Sequence, residues 1–219
     1  QVVDALDRRA ARPGFRDDPY YRLYDTKVDE YRLAPDFATA NKGVKLIGAL
    51  RRRDLYPFLA ERFAGAQPFL RRNILVAFRR AETFDECFRE VVRRGLDDGY
   101  WEVRREAVTL FRRFHEELQD DEGLRRRILA LMRRRFERYD TRAEAIRAAP
   151  LLLDEEPLLR AMRPFLGSRR VRLRQAVLDA IEWGVIHGRL TSAQSVRATL
   201  RRMLITTSGP KRTVVSLDP

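Results

Sequence analysis

A motif that returns at a near-constant interval constrains this chain more than any other feature. Residues Asp98 to Phe114 place Val103, Ala107, Leu110, Phe111 and Phe114 at the spacing of one helical face. The segment Phe69 to Arg80 repeats that pattern 33 residues earlier, with Leu70, Ile74, Ala77 and Phe78 in the apolar places. Its arginine pairs 71/72 and 79/80 fall where 104/105 and 112/113 fall in the later copy. A third copy, Thr141 to Ile146, matches Val103 to Val108 at an offset of 38. A fourth, Val171 to Trp183, has the same character with its Arg-to-Ala spacing one residue longer. A helical unit of this size cannot cover its apolar face alone, so copies must stack on one another.

Shorter amphipathic stretches lie between the copies, over 54–63, 82–94, 122–139 and 157–166. Breakers separate each from the next helix: Gly65 with Pro68, Gly95 with Gly99, Asp140, and Gly167. The rhythm is helix, turn, helix, short loop, in units of about 33 to 40 residues. No sustained alternation of period two occurs, so the expected class is all-α. Residues 1–36 read as a capping segment, rich between 12 and 36 in Pro, Asp and Tyr. Residues 37–204 read as the repeat domain and 205–219 as a flexible tail.

The residues Asp98, Val103, Arg104, Ala107, Val108 and Leu110 resemble the second-helix signature of the HEAT-repeat, armadillo-type α-solenoid family. The resemblance implies a right-handed α-α superhelix of about four to five helix pairs, its second helices lining a concave face. It also implies a stacked ladder in which a turn Asp meets a second-helix Arg. Asp98 and Arg104 fit that pattern, but no Asp precedes Arg71 in the same place, so an interrupted ladder is expected.

The formal net charge is +13, and only four of the 45 basic residues are lysine. Such a balance suits nucleic acid, acidic proteins or anionic surfaces without choosing among them. Arg72 and Arg79 are seven apart, about 20° around a helix, and Arg105 and Arg112 repeat the placement one unit later. The helix near 69–80 holds four arginines and no acid, whereas the stretch 82–94 balances its own charges. Arg72, Arg79, Arg105 and Arg112 are therefore expected to form a two-by-two basic patch, anchored by Trp101 or Tyr100, that receives an acidic strip of a protein partner. Nucleic acid held through the same arginines is the alternative. The stretch 122–139 carries Arg125, Arg126, Arg127, Arg133, Arg134 and Arg135 on the expected outer side, so a general basic coat competes with a focused groove.

Material for catalysis is sparse. His115 opens His-Glu-Glu-Leu, which lacks the second histidine of a zinc helix, and His187 sits between Gly184 and Gly188 near a helix end. Ser208 to Thr213 lacks the glycine spacing of a phosphate loop. Asp154, Glu155 and Glu156 read as helix-start acids. The resemblance brings in HEAT-like alkylpurine DNA glycosylases, which use aromatics with a carboxylate. Here Arg105 follows Trp101 by one turn and His187 follows Trp183, so the acid is out of register. Cys87, the lone cysteine, is expected to be a buried, inert thiol. No apolar run approaches the roughly 20 residues of a membrane span, and no signal peptide is visible. The expectation is a cytoplasmic, non-catalytic scaffold with no cofactor and no metal, its oligomeric state open. The chain opens on Gln1, as a piece excised from something longer would.

Overall fold

A computed structural model describes the backbone over residues 35–207 and side chains over 39–201. The expected N-terminal cap lies outside the described residues except at its last two positions. Proline and turn chemistry set the helix starts. Helices α1 (Pro35–Ala49) and α2 (Tyr56–Phe63) are joined by a turn in which Arg51 takes a positive φ of 52°. Pro57 and Pro68 occupy first-turn positions of α2 and of α3 (Pro68–Arg79), where a missing N–H costs nothing. Then follow α4 (Cys87–Leu96), α5 (Trp101–Arg113), the single turn α6 (His115–Leu118) and α7 (Glu122–Arg133). The Asp121 carboxylate caps α7 by accepting from Leu124 N at 3.1 Å. The remaining helices are α8 (Tyr139–Ala148), α9 (Glu155–Leu166), α10 (Val171–Ile186) and α11 (Ala193–Thr207). Among the described residues there is no strand.

These residues divide into two compact units between Glu137 and Arg138. In the first, α1, α3 and α5 pack side by side in one layer, and α2, α4 and α7 form a second layer against it. In the second, α8 packs along α10 while α9 packs on both α10 and α11. Each helix thus finds its lateral neighbour two elements along the chain, which is how a repeating helix pair buries both of its apolar stripes.

The expected stripes are the core. Leu70, Ile74, Ala77 and Phe78 are buried on α3, as are Val103, Ala107, Leu110 and Phe111 on α5. Thr141 and Ala145 on α8 and Leu173, Ala176, Val177 and Ala180 on α10 repeat the theme. Aromatic rings knit the first unit: Phe78 stacks on Phe88 at 4.4 Å, and Phe88 meets Tyr56 and Phe114 at 5.5 and 5.6 Å. Close approach is bought with glycine where α4 crosses α5. A Cβ on Gly95 would lie 2.8 Å from that of Ala107. At the end of α10, Gly188 takes φ +67° and the Arg189 N–H reaches back to the Gly184 carbonyl at 2.8 Å, a Schellman ending.

Three boundaries differ from expectation. Helix α4 starts at Cys87 instead of near 82, because the Asp85 carboxylate takes the Cys87 N–H at 3.1 Å and holds 82–86 as a turn. Helix α7 stops at Arg133, although apolar spacing at Ile128, Met132 and Phe136 suits its continuation to 139. Glu137 is drawn inward by Arg104, and the backbone turns extended at Arg134 and Arg138 to allow it. Helix α11 carries residues 205–207, which composition assigns to the tail; the rest of that tail lies outside the described residues.

Candidate functional site

Four arginines occupy the fourth position of the layer helices α3, α5, α8 and α10: Arg71, Arg104, Arg142 and Arg174. Three of them fasten the turn before their own helix by donating to a carbonyl there. Arg71 reaches Ala66 O, Arg104 reaches Asp98 O at 2.6 Å, and Arg174 reaches Ser168 O at 2.5 Å. Arg71 and Arg104 also reach forward. Arg71 grips Asp98 with two bonds of 2.6 and 3.0 Å, and Arg104 grips Glu137 with bonds of 2.8 and 2.6 Å. Asp98 therefore gives its carboxylate to Arg71 and only its carbonyl to Arg104. The ladder runs through Arg71 because the acid comes from the following turn, 27 residues on. Beyond it, Arg142 lies 5.2 Å from the Phe165 ring.

The arginines expected to bind a partner stand one position further along and look outward. They do not await an anion. Arg72 Nε lies 3.2 Å from Glu102 Oε2, and Arg79 bonds Glu106 at 3.1 Å. Arg105 bonds the same Glu106 at 2.7 Å. Glu106 is only 6% exposed, so its carboxylate sits at the floor of the face with two guanidiniums over it. Helix α3 indeed has no acid of its own; α5 supplies both. Glu102 and Glu106 are spaced by four, so they share a side of α5, and that side packs against α3. The sequence signal was present in that spacing, but it becomes a charge argument only once α3 and α5 are known to be neighbours.

Trp101 is half-buried with the Arg105 guanidinium 5.4 Å from its ring. Tyr100, just before α5 and extended, meets Phe69 edge-on at 5.5 Å. Its N–H is fixed by Asp98 Oδ1 at 2.8 Å. The structure thus brings Arg72, Arg79, Arg105, Trp101 and Tyr100 onto α3, α5 and the turn between α4 and α5. Arg112 stands half-buried two turns beyond Arg105 on α5. Three of these guanidiniums share two carboxylates, an excess of one positive charge on the face.

Other candidates resolve into structural roles. Glu155 leaves its own helix start and accepts from Thr191 N at 2.9 Å, Thr191 Oγ1 at 3.0 Å and Ser192 N at 3.2 Å, which orders the approach to α11. The bond from Thr191 N is the main reason its carboxyl titrates below the usual range. It edges a groove of about 410 Å³ with Arg160, Arg163, Ser192, Ser195 and Thr199. His187 is exposed, stacked on Trp183 at 4.0 Å, with Nδ1 2.8 Å from the Trp183 carbonyl. His115 opens the short α6, and Asp154 makes no side-chain cap. Cys87 is half-buried. Burial, with a hydrogen bond to Asp85, pushes its thiol up, so little thiolate forms near neutrality. Among the described residues no three His, Cys, Asp or Glu side chains are grouped to hold a metal ion, and no helix is long and apolar enough to cross a membrane. Sequence reasoning passed over Phe136, which is 88% exposed in the loop after α7.

No protein-family model matches the chain, and neither a curated protein nor a solved structure matches it.

Proposed function

We propose that the chain is a non-catalytic scaffold of HEAT-like repeats, a superhelix of about four to five helix pairs, that holds a protein partner on the outward side of α3 and α5. The observation that carries this reading is the prearranged surface of Arg72, Arg79, Arg105, Glu102, Glu106, Trp101 and Tyr100. Its guanidiniums are already held by carboxylates and its rings are already packed, so a partner has few side chains left to order. Arg and Trp are the residue types that most often dominate such contacts. Layering within each unit supports the repeat reading, since each helix meets its neighbour two elements away. The compensated charge adjusts the partner. Its matching surface is sparingly acidic, with donors for Glu102 and Glu106 and acceptors for the arginines.

Site-specific photo-crosslinking tests the proposal. A benzophenone side chain at Thr109, half-buried on α5 one turn beyond Arg105, should capture one protein, and Trp101→Ala should abolish the capture. The same probe at exposed Glu86, on the turn before α4, should not capture it. Capture of the same protein from both positions, or none from Thr109, would overturn the reading.

A further inference from the structure

The loop leaving α7 exposes a side chain that the fold does not use. Phe136 is 88% exposed, while every other phenylalanine whose side chain is described is buried or half-buried. Its ring faces the Arg135 guanidinium at 5.4 Å. The loop beneath it is firmly held. Glu137, the next residue, has a fully buried carboxylate gripped by Arg104, and the Glu137 N–H closes a turn onto the Arg134 carbonyl at 3.2 Å. Anchoring Glu137 inward displays its neighbour outward.

Charge around the ring is as one-sided as the α3–α5 face is balanced. Arg126, Arg133 and Arg135 are exposed and have no carboxylate partner among the described residues. Arg134 comes to 3.8 Å of Glu137, whose charge Arg104 already holds. Arg126 and Arg133 are seven apart on α7, so they share a side of the helix about 10 Å from each other. Complementing the α7 dipole accounts for Arg133. It does not account for Phe136.

We propose that this loop binds single-stranded nucleic acid, with Phe136 as a stacking platform for a base and Arg126, Arg133 and Arg135 as phosphate contacts. A single strand presents what the loop lacks, a π-face beside an anion, repeated along its length. Arginine suits phosphate through its planar fork. A protein hot spot requires a surrounding ring of contacts that excludes water, and the residues flanking Phe136 are all charged. Insertion into a lipid surface requires a wider apolar face than one ring. The proposal rests on residues apart from the α3–α5 face, so either reading can fail alone.

Fluorescence anisotropy of the full chain with labelled dT20 and rU20, across a salt series, is the test. The wild type should bind at low ionic strength. Phe136→Ala should weaken binding by about 5- to 150-fold without changing the thermal melt. Phe136→Trp should bind at least as well as the wild type, and Phe136→Leu should not rescue. Arg133→Ala with Arg135→Ala should reduce the log–log salt slope by about 1.4, near 0.7 per phosphate released. Arg105→Ala, whose charge is already compensated, should change neither reading. No binding at low salt overturns the proposal. So does a Phe136→Ala variant that binds as the wild type does, which would mark a general basic coat. Full rescue by Phe136→Leu, or equal competition by a poly-glutamate peptide or phosphatidylserine vesicles, would assign the loop to another class of partner and also overturn it.

Discussion

Breaking the Arg104–Glu137 pair should be among the most damaging single changes on α5. The Glu137 side chain is fully buried and that of Arg104 is 10% exposed. Arg104 makes two bonds to the carboxylate and a third to the Asp98 carbonyl. Arg104→Met leaves a buried carboxylate without its counter-ion, and Glu137→Gln leaves a buried guanidinium facing an amide. Each should cost about 3–5 kcal/mol, the range for removing one partner of a buried pair. The exposed Arg94–Glu90 pair, with both side chains about half exposed, should be worth under about 1 kcal/mol. Replacing both buried partners, as Arg104→Met with Glu137→Leu, removes the charge and its counter-charge together, so the double variant should be no less stable than either single one. Trp101 and Trp183 lie in different units, so a Trp183→Phe background makes indole fluorescence report the first unit alone. In urea, with a slope of about 2 kcal/mol per molar, the single variants should move the midpoint down by about 1.5–2.5 M. Losses below about 1 kcal/mol, or a double variant as unstable as the sum of the singles, would refute the claim that this pair ties the loop after α7 to α5.

Two further changes probe the packing and the electrostatics. Gly95→Ala gains about 1 kcal/mol of helix propensity but sets its methyl 2.8 Å from Ala107 Cβ, so chemical denaturation should show a net loss of about 1–3 kcal/mol. Gly65→Ala, with nothing within 4 Å of its new Cβ, should be neutral or slightly stabilising in the same experiment. Burial would raise the Asp121 carboxyl, but the Leu124 N–H and the Arg93 guanidinium outweigh it and hold the group below the usual carboxylate range. Its folded value is the lower one, so its contribution is fully present above about pH 4, the unfolded value, and fades as pH falls through the folded value. Asp121→Asn should flatten the stability profile in that acid window, and a profile unchanged by the substitution would contradict the assignment.

The repeat of apolar stripes was legible in the sequence because helix faces are local. Val103, Ala107, Leu110 and Phe111 are buried together simply because 3.6 residues make a turn and the opposite side is charged. Breakers set most of the helix starts for the same reason; Pro68 can only open α3. The four matched arginine pairs were legible too, but not their division of labour. Arg71 and Arg104 turn inward to fasten turns, while Arg72 and Arg105 face outward onto acids of α5. Nothing within α3 announces that Glu102 and Glu106, 27 to 30 residues away, will cancel its charge. That depends on how far one helix slides along its neighbour, which core packing decides. The fate of Phe136 turned on the same kind of information. Its spacing from Met132 fits one more turn of α7, yet the buried Arg104–Glu137 bond outweighs that local preference and swings the ring into water. By itself the sequence determined which residues are helical and which faces are apolar. Only the tertiary structure decided which charges are compensated and which side chain is left exposed, because both depend on the register between helices.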